Sequence, residues 1–595
     1  MKKTKIVATI GPSSEDEEVL SSMIDEGLNV CRLNFSHGSH EEHKKRIETI
    51  KKVRSEKKVP LAIMLDTKGP EIRIGTFKNS KIRIEQGQSF ILTIKDVEGD
   101  LNKVSVSYKN IISDVEIGKR ILIDDGLLEF VVQNIDDENI YMTAINSGEL
   151  SDRKGVNIPD TKIKLPSLTE RDIDDIKFGI KNGIDFIAAS FIRTRNDVLE
   201  IRKVLEENSG HHISIISKIE SREGVDNIDE ILEVSDGIMV ARGDLGVEIR
   251  PQEIPLVQKE LIRKCNEAGK VVITATQMLD SMTRNPRPTR AEVTDVANAI
   301  LDGTSAIMLS GETAAGKYPV ASVRMMKEIA ENTEESVEYK EKLRLFSNFH
   351  KGYITDALAK ATWQIAKDLS AKAIITATSS GQTSRAISKF RPNQTIIALT
   401  YSTDVMRKLY LEWGVYPILV NENSNYEELF REGIFKAKSD FINDGDIVIL
   451  TAGVPMGKSG STNLLKVEVV AKMLSKGMPI GKGKYIGRAV VANNEEELLN
   501  NFKDEDIIIT IGMHKDMVKF AERASAIVTE EGGLTSSGAI IGLTLKKPTI
   551  VGASNATKLI KTGDIITLDL ESGIISKGDN WWEKVGMNIL LKLQN

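Results

Sequence analysis

Short runs of apolar, largely β-branched residues recur along the first half of the chain, and most are followed by a helical pattern of apolar positions. The runs are Lys5–Ile10, Val30–Phe35, Ala62–Asp66, Phe186–Phe191, Ser214–Ile219, Gly237–Ala241, Val271–Ala275 and Ala306–Leu309. Eight strand–helix units predict an α/β fold built on a (β/α)8 TIM barrel, formed by residues 1–70 and 165–345.

The interval between the third and fourth runs has a different pattern, in which short segments alternate apolar and polar residues. Turn signals such as Asp124-Asp125-Gly126 separate them. The segments are Lys81–Glu85, Phe90–Ile94, Lys103–Ser107, Ile121–Ile123, Leu127–Val132 and Ile140–Ala144. We predict an inserted β-barrel lid domain over residues 71–164, on the face where barrels keep their active sites. A domain placed there can close over a substrate and exclude water.

Strand–helix alternation resumes after about Phe346 and predicts a three-layer α/β domain over residues 346–474. Its predicted strands are Ala373–Thr376, Thr395–Leu399, Tyr416–Val420 and Ile447–Leu450. Ser475–Lys484, which contains several Gly and Lys residues, is predicted to be a linker. Residues 485–595 are predicted to form a further α/β domain.

Composition narrows the class of protein. A chain of 595 residues is too long for one core and should divide into about four domains. The net charge of −6 disfavours nucleic-acid binding, which usually requires a strongly basic face. The two cysteines, Cys31 and Cys265, are too few for a disulfide framework, and no stretch approaches the length of a membrane span. We therefore expect a cytoplasmic protein with no membrane partner.

Polar residues follow six of the eight predicted barrel strands. Because the interior of such a barrel is filled with apolar side chains, polar residues at the carboxyl ends of its strands are the catalytic candidates. A single Lys-x-Glu pair is usually a solvated strand end, but six such ends on one rim favour an active site. The six ends are Arg32–Gly38, Asp66–Arg73, Lys218–Glu220, Ala241–Gly246, Thr276–Leu279 and Ser310–Thr313.

The residue types on this rim indicate a reaction class. Glu220 and Asp244, with no His or Cys cluster nearby, suit a hard cation such as Mg²⁺. A second oxygen-rich group of lower charge could hold a monovalent cation, and positive side chains could hold an anionic group in transfer. The oxygen-rich group is Asn34, Ser36, Asp66 and Thr67, and the positive group is Arg32, Arg73 and Lys218. Together these groups favour phosphoryl transfer.

These segments resemble the pyruvate kinase family. The matching motifs are Lys5–Ser13 (KIVATIGPS), Arg32–Gly38 (RLNFSHG), Asp66–Arg73 (DTKGPEIR), Lys218–Glu220 (KIE), Met239–Glu248 (MVARGDLGVE), Ala275–Met282 (ATQMLDSM) and Leu309–Ala314 (LSGETA). The resemblance in domain order covers about residues 1–475. It implies a phosphotransferase that moves the phosphoryl group of phosphoenolpyruvate to ADP, giving pyruvate and ATP in the last step of glycolysis.

The resemblance also implies roles for individual residues. Glu220 and Asp244 would hold Mg²⁺ or Mn²⁺, and the oxygen-rich group would hold K⁺. Lys218 would stabilise the transferring phosphoryl group and the enolate, while Arg32 and Arg73 would clamp phosphates. A glutamate at position 71 accompanies K⁺ dependence in this family, so the resemblance implies activation by K⁺.

Further implied contacts concern the substrate carboxylate and the nucleotide. Backbone amides of Gly243 and Asp244 would grip the carboxylate, since N–H groups at a helix start favour anions. Thr276, and Ser310 through water, would serve the carboxylate and the protonation of the enolate. The implied nucleotide contacts are Asn34, His37, Arg73 and Lys154. Ala315 stands where a lysine that contacts the nucleotide is common.

The loop that follows the predicted strand Ala373–Thr376 is a candidate effector site. Hydroxyls and amides around a glycine at a helix start can cradle a phosphate, although an ordinary capped helix start uses the same residue types. The loop residues are Thr378, Ser379, Ser380, Gly381, Gln382 and Thr383. The resemblance implies an allosteric effector here, a sugar phosphate or a nucleotide, and a homotetramer.

The last 110 or so residues resemble the mobile phosphohistidine domain of phosphoenolpyruvate-utilising enzymes. The resemblance lies in Gly532–Ala539 and Lys547–Gly552. Where those enzymes carry a phosphoryl-accepting histidine, this chain has Ser537, which lacks the imidazole nucleophile and a base to activate it. We therefore predict a structural or regulatory role for this domain, and core activity that survives its removal.

Two alternative functions remain open from the sequence. A Mg²⁺-dependent barrel lyase or aldolase acting on pyruvate enolate shares the metal carboxylates, but it has no need of the paired arginines or the lid. A phosphohistidine relay built on an inactive kinase is disfavoured, because Lys218 and Glu220 are intact while position 537 lacks its histidine.

Overall fold

The computed structural model describes residues 1–342, 353–422, 425–438, 440–453, 462–470 and 473–578. The chain divides into two compact units. The first comprises Met1–Lys367, Ile374–Ser424 and Thr451–Leu465, and the second comprises Asp368–Ala373, Asn425–Leu450 and Lys466–Asn595. None of the helices in the described ranges is long and apolar enough to cross a membrane. The predicted domain boundary at residue 346 lies outside the described residues.

The β-strands, in chain order, have the following bounds. They are β1 Lys5–Thr9, β2 Val30–Asn34, β3 Ala62–Asp66, β4 Lys81–Ile84, β5 Ser89–Thr93, β6 Lys103–Ser105, β7 Arg120–Ile123, β8 Leu128–Ile135, β9 Asn139–Ala144, β10 Gly148–Ser151, β11 Val156–Asn157, β12 Phe186–Ala189, β13 Ser214–Ile219, β14 Gly237–Ala241, β15 Val271–Ala275, β16 Ala306–Leu309, β17 Ala373–Ala377, β18 Thr395–Thr400, β19 Val415–Leu419, β20 Ile447–Gly453, β21 Thr462–Val469, β22 Met473–Lys476, β23 Met478–Ile480, β24 Lys484–Val491, β25 Ile507–Thr510, β26 Ala526–Thr529, β27 Thr549–Val551, β28 Ile565–Asp569 and β29 Ile574–Lys577.

The α-helices of the described residues are bounded in the same way. They are α1 Glu17–Asp25, α2 His40–Lys57, α3 Ile111–Asp114, α4 Glu170–Lys181, α5 Arg195–Glu207, α6 Arg222–Asp226, α7 Ile228–Val234, α8 Arg242–Glu248, α9 Ile254–Ala268, α10 Arg290–Leu301, α11 Gly311–Ala314, α12 Pro319–Glu335, α13 Val337–Lys342, α14 Ile354–Asp368, α15 Gln382–Ser388, α16 Thr403–Leu409, α17 Tyr426–Ala437, α18 Glu495–Asn501, α19 Val518–Ala521, α20 Ser537–Leu545 and α21 Ala556–Leu559.

The predicted barrel is confirmed. Strands β1–β3 and β12–β16 form a closed barrel in the order β1-β16-β15-β14-β13-β12-β3-β2, and all its pairings are parallel. Successive residues of a strand face opposite sides, so Val7 packs with Met64 and Ile273, whereas Ile6 belongs to the core shared with the helices. The barrel interior is therefore filled, and only its rim can carry chemistry.

Several barrel helices begin at N-cap residues that form a capping box. In a capping box, the cap hydroxyl accepts from the third helical N–H, and the third side chain accepts from the N–H of the cap. Capping boxes start α2, α4, α5 and α10, at Ser39, Thr169, Thr194 and Thr289. Each fixes where the chain leaves a strand-end loop, which is where the site residues lie.

The insertion between β3 and β12 is a β-domain, as predicted. Six strands form a sheet in the order β11-β7-β8-β9-β5-β6, and β10 pairs with β4 in a second, two-stranded sheet. One hydrophobic core joins them, with the rings of Phe90 and Phe130 stacked at 5.8 Å between centroids. Strand β9 alternates half-buried and buried residues along its length, which is the pattern that identified it. Strands β10 and β11 were not predicted, because they are short.

The α/β region that follows contains a five-stranded sheet in the order β19-β18-β17-β20-β21. Strands β18 and β19 pair in parallel, as strand–helix alternation predicts. Strands β17 to β20 correspond to the four predicted ones, and β21 is an additional strand that the sequence analysis missed. Part of the chain between β20 and β21 lies outside the described residues.

The C-terminal region has its own eight-stranded sheet, in the order β22-β29-β28-β24-β25-β26-β27-β23. This corrects the predicted linker Ser475–Lys484, because β22 overlaps it and β23 lies within it. Gly477 was taken as a sign of flexibility, but it marks close packing. A Cβ atom at Gly477 would lie 2.5 Å from the carbonyl oxygen of Val551, so only glycine fits there.

Candidate active site

A cavity of 460 Å³ opens at the carboxyl ends of β2, β3, β12 and β13. The structure brings eight of the predicted site residues to its lining. They are Arg32, Asn34, Ser36, His37, Arg73, Lys218, Glu220 and Asp244. These residues come from segments more than 200 positions apart in sequence, and the barrel closure places them on one rim.

Lys218 lies at the centre of the polar network. It is the first residue of the motif Lys218-Ile219-Glu220. Its Nζ is 2.7 Å from Ser190 Oγ, 2.8 Å from Glu220 Oε1 and 3.1 Å from Asp66 Oδ1. An ammonium group has three N–H donors, so each of them has an acceptor here. Lys218 is only 8% exposed, which means that its charge is balanced by protein groups rather than by water.

Burial and neighbouring charges compete at these groups. Burial alone would lower the pKa of Lys218, but the charges of Asp66 and Glu220 outweigh it and raise that pKa above its usual range. Burial raises the pKa of Glu220 to about 7, because the charge of Asp244 adds to it and the attraction of Lys218 offsets it only in part. A buried carboxylate whose charge is disfavoured by a neighbouring carboxylate is suited to binding a cation.

Arg32 and Asp66 form a buried ion pair beside Lys218. Arg32 Nε donates to Asp66 Oδ2 at 2.6 Å, and its NH1 group donates to Thr9 Oγ1 at 2.8 Å. Burial alone would raise the pKa of Asp66, but Arg32 and Lys218 hold it below its ordinary value. Asp66 therefore stays ionised and fixes both cationic side chains at the cavity wall.

The predicted oxygen-rich group is partly assembled on the adjoining strand ends. Asn34 and Asp66 are register partners in the pairing of β2 with β3. Asn34 Oδ1 accepts a hydrogen bond from the backbone N–H of Ser36 at 3.1 Å. Asp66 and Thr67 are 1% and 2% exposed, so they lie behind the lining that Asn34 and Ser36 form.

A second cavity of 510 Å³ adjoins the first, and it extends from the barrel rim to the inserted β-domain. Arg73, Lys154, Glu220 and Asp244 line it. Arg73 donates to Glu71 Oε2 at 2.6 Å, and Lys154 Nζ lies 2.9 Å from Asp124 Oδ1. The two predicted lid cations thus line the same cavity as the two predicted metal carboxylates.

Thr276 and Ser310, the predicted residues on β15 and β16, line neither of these two cavities. Thr276 adopts a left-handed backbone (φ 74°) and packs against Gly243, where an added Cβ would lie 2.9 Å from Thr276 Cγ2. Arg242 donates to the carbonyl oxygen of Thr276 at 2.8 Å, and it ion-pairs with Asp295 at 2.7 Å. Arg242 was not predicted, and it holds this unusual turn in place.

Sequence reasoning also missed Ser190 and Phe191, which follow β12. Ser190 Oγ contacts Lys218, and the Phe191 N–H donates to Glu220 Oε2 at 2.6 Å. They were overlooked because both are uncharged and were included in the predicted strand Phe186–Phe191, so no separate polar motif stood out at its end. The rule that sites lie at the carboxyl ends of barrel strands would have found them, since this segment had been identified as a strand.

The predicted effector loop forms a turn between β17 and α15. Gly381 has a left-handed backbone (φ 86°) and its N–H donates to Thr378 Oγ1 at 2.9 Å. Thr383 Oγ1 lies 2.8 Å from Thr462 Oγ1. Arg385 is ion-paired with Glu412 at 2.8 Å. The structure thus places Thr378, Gly381 and Thr383 in one compact turn, with Ser379, Ser380 and Gln382 in the same segment.

Ser537 is the first residue of α20. The neighbouring Ser536 caps this helix by accepting from the Ala539 N–H. Within the described residues, the Ser537 hydroxyl has no histidine, lysine or carboxylate hydrogen-bonded to it. An unactivated hydroxyl is a weak nucleophile, which is consistent with the prediction that Ser537 does not accept a phosphoryl group.

The donor set of the barrel rim fits a hard divalent cation. Glu220 and Asp244 line both cavities, and no set of three or more His, Cys, Asp or Glu in the described part of the chain could hold a metal by itself. Mg²⁺ is commonly bound through one or two carboxylates, with substrate and water oxygens completing its shell. Two carboxylates facing an open cavity meet that requirement.

Family models match three parts of the chain. Residues 1–323 match the model described as "Pyruvate kinase, barrel domain", and residues 356–468 match "Pyruvate kinase, alpha/beta domain". Residues 502–573 match "PEP-utilising enzyme, mobile domain". The matches follow the order of regions expected from the sequence.

Curated relatives match almost the whole chain. A pyruvate kinase of Sporosarcina psychrophila is 53% identical over 581 residues, which cover 97% of this chain and 99% of the relative. A pyruvate kinase of Geobacillus stearothermophilus is 50% identical over 580 residues, with the same coverage of both chains. A pyruvate kinase of Staphylococcus aureus is 48% identical over 581 residues, again with that coverage.

Proposed function

The chain belongs to the pyruvate kinase family, and we propose which of its own residues carry out the reaction of that family. It is a phosphotransferase that transfers the phosphoryl group of phosphoenolpyruvate to ADP, giving pyruvate and ATP, in the last step of glycolysis. The lyase or aldolase alternative is not favoured, because the relatives that match nearly the full chain are pyruvate kinases. The observation that carries our assignment of roles is the set of buried charges around Lys218.

Lys218 stabilises the phosphoryl group in transfer and the enolate that remains. Its position supports this role, because the ammonium lies at the cavity wall with Asp66 and Glu220 keeping it charged. Arg32, fixed by Asp66 and Thr9, supplies a second positive charge for the phosphate. Charge stabilisation of this kind is the main contribution of a protein to phosphoryl transfer, which needs little covalent chemistry.

Glu220 and Asp244 hold Mg²⁺ or Mn²⁺, which neutralises charge on the carboxylate and phosphate oxygens of phosphoenolpyruvate. The raised pKa of Glu220 and the position of both carboxylates on two adjoining cavities support this role. Helix α8 begins at Arg242, so the N–H groups of Gly243 and Asp244 lie in its first turn and are available to the substrate carboxylate. Thr276 packs directly against Gly243 and serves the same end of the substrate.

Ser310 serves the protonation of the enolate through water. Support for this role comes from Glu312, which is buried and accepts from the N–H groups of both Ser310 and Leu279, at 2.8 and 3.0 Å. Glu312 thereby ties the loop after β15 to the loop after β16. The two residues assigned to the enolate, Thr276 and Ser310, are held in one rigid corner of the rim.

The nucleotide occupies the space between the barrel rim and the inserted β-domain. Lys154 and Arg73 line the larger cavity, Asn34 and His37 line the smaller one, and Arg73 lines both. Ala315 stands where a lysine contact is common in the family, so binding of ADP relies more heavily on Arg73 and Lys154. Arg73 is well suited to this, because a guanidinium can hold phosphate oxygens in a bidentate manner.

K⁺ is held by Asn34, Ser36, Asp66 and Thr67. The register pairing of Asn34 with Asp66 supports this, since it brings the ends of β2 and β3 together. Glu71 lies on the same cavity wall and is ion-paired with Arg73. Because a glutamate rather than a lysine stands at position 71, the site needs a cation from solution to complete its positive charge.

The proposal extends to regulation and assembly. The turn Thr378–Thr383 takes a phosphorylated effector, a sugar phosphate or a nucleotide, and the protein acts as a homotetramer. The proposed domains follow the sequence pattern: a barrel (1–70 and 165–345), a lid (71–164), an allosteric domain (346–474) and a phosphohistidine-like domain (485–595). Strands β22 and β23 extend the phosphohistidine-like domain, so that it begins at residue 473. A cytoplasmic location is supported by two cysteines that are buried and unpaired.

One assay tests the proposed function. Pyruvate formation from phosphoenolpyruvate is coupled to a dehydrogenase and measured with Mg²⁺ and K⁺, with and without ADP. We expect pyruvate and ATP in equal amounts when ADP is present, and no pyruvate when it is left out. Pyruvate released at the same rate without ADP would contradict the assignment and favour a lyase or a phosphatase.

A further inference from the structure

Ser190 occupies a position between Lys218 and the strand end of β3. Its Oγ lies 2.7 Å from Lys218 Nζ and 2.6 Å from the carbonyl oxygen of Thr67. An ammonium can only donate, so Ser190 Oγ accepts from Lys218 and its own proton is directed to the Thr67 carbonyl. Ser190 is 4% exposed, so water does not compete for these bonds.

The next residue, Phe191, fixes the neighbouring carboxylate. Its backbone is left-handed (φ 54°), which is unusual for a residue with a side chain, and its N–H donates to Glu220 Oε2 at 2.6 Å. A Cβ at Gly69 would lie 2.8 Å from Ser190 Cβ and 2.7 Å from the Phe191 ring. The turn after β12 is therefore packed tightly against the turn after β3, and its two residues contact Lys218 and Glu220 in succession.

The three acceptors around Lys218 have different roles. Glu220 is a proposed metal ligand, so its Oε1 is the acceptor that a divalent cation would take. Ser190 and Asp66 are then the partners that remain to Lys218, at 2.7 and 3.1 Å. They hold two of its three N–H groups, which leaves the third for an oxygen of the substrate in the cavity.

We propose that Ser190 is a positioning residue for phosphoryl transfer, because its hydroxyl anchors the Lys218 ammonium while one N–H of that ammonium faces the substrate. The hydroxyl is itself oriented by the Thr67 carbonyl at 2.6 Å, with Asp66 Oδ1 as a more distant acceptor at 3.4 Å. This inference rests on the proposed function of the same site. It adds a residue of the β12 end, which neither the motifs of the sequence nor the charged strand ends indicated.

Ser190→Ala tests the anchor, and Ser217→Ala is the matched control. Ser217 is also a buried barrel serine, but its hydroxyl lies 2.7 Å from Ser235 Oγ and contacts neither cavity. We expect Ser190→Ala to lower kcat by about tenfold or more, the loss associated with a hydrogen bond to a charged group. We expect the kcat of Ser217→Ala to stay within about twofold of that of the unaltered chain. The dissociation constant for phosphoenolpyruvate, measured by calorimetry without ADP, should change by less than about twofold in Ser190→Ala, because the anchor acts on the transfer step.

A double-mutant cycle separates positioning from a general structural effect. If Ser190 acts through Lys218, adding Ser190→Ala to Lys218→Met should lower kcat by less than about twofold further, since the group it positions is gone. A second loss as large as in the single variant would overturn the proposal. So would a kcat for Ser190→Ala equal to that of Ser217→Ala at matched melting temperatures.

The outcome also separates this inference from the proposed function. If the full chain forms no pyruvate from phosphoenolpyruvate in the presence of ADP, the proposed function fails. If the full chain is active and Ser190→Ala is as active as the full chain, only the role of Ser190 is refuted.

Discussion

The barrel rim and the start of α20 both match families that use phosphoenolpyruvate, yet they differ in almost every physical respect. At the rim, Lys218, Asp66 and Glu220 are 8% exposed or less, and the Lys218 ammonium is paired with both carboxylates. At the start of α20, Ser537 is flanked by exposed apolar residues, with Leu534 61% and Ile540 54% exposed. We therefore propose that competence for phosphoryl transfer depends on buried, mutually balanced charge, and not on membership of a family that uses phosphoenolpyruvate.

The largest loss of activity is expected when the charge balance of the rim is broken. Lys218→Met removes the buried positive charge, and we expect kcat to fall by at least the roughly 10²–10³-fold that accompanies loss of one charge-stabilising donor. The coupled pyruvate assay measures this, and circular dichroism shows that the fold is kept. A loss of kcat below tenfold would show that Lys218 does not take part in the mechanism. The barrel rim and the start of α20 would then no longer differ in the way described above.

We propose that catalysis at the rim also depends on K⁺. Replacing K⁺ by a bulky organic cation should lower kcat by about tenfold or more, equivalent to roughly 1.4 kcal/mol of transition-state stabilisation. Glu71→Lys should restore activity in the K⁺-free buffer, because the lysine supplies the missing charge next to Arg73. Equal rates of the unaltered chain with and without K⁺ would refute the proposed site.

Removal of the C-terminal sheet should leave catalysis at the rim intact. A chain that ends at residue 470 lacks all eight strands from β22 to β29 and should keep kcat within about twofold, because no rim residue lies in that sheet. The α17 residue Arg431 would lose Asp569 as an ion-pair partner, so melting temperature is measured alongside. Complete loss of activity with the barrel still folded would show that the domain takes part in catalysis.

The smallest effect is expected at Ser537 itself. Ser537→Ala should leave kcat and KM within about twofold, since the hydroxyl is not activated and the residue is only half-buried. The coupled assay is again the measurement, with Lys218→Met as the positive control. A clear drop in kcat for Ser537→Ala would mean that the serine contributes to transfer.

The sequence was a good guide wherever one local pattern determines structure. All eight barrel strands were predicted, because fully buried strands such as β16 appear as continuous apolar runs. The inserted domain was also found, since strands such as β9 alternate apolar and polar residues. The lining of the main cavity was anticipated at Lys218, Glu220 and Asp244, because charged residues at the ends of apolar strands stand out.

The missed features depend on contacts that no local pattern records. Ser190 matters only because barrel closure places its hydroxyl 2.7 Å from Lys218. Gly477 was taken as part of a linker, because a glycine required by a close backbone contact looks the same in sequence as a flexible one. Arg242 was included in a motif without a role, and its hydrogen bond to the Thr276 carbonyl appears only in three dimensions.

The central claim is that phosphoryl transfer takes place at the barrel rim and not through the C-terminal domain. The most direct test is to incubate the full chain with phosphoenolpyruvate labelled with ³²P, first without ADP and then with it, and to follow the label in protein and nucleotide. We expect no protein-bound label at either stage and direct appearance of label in ATP once ADP is added. Label bound to the C-terminal domain before ADP is added, transferred to ATP afterwards and absent from Ser537→Ala, would contradict it.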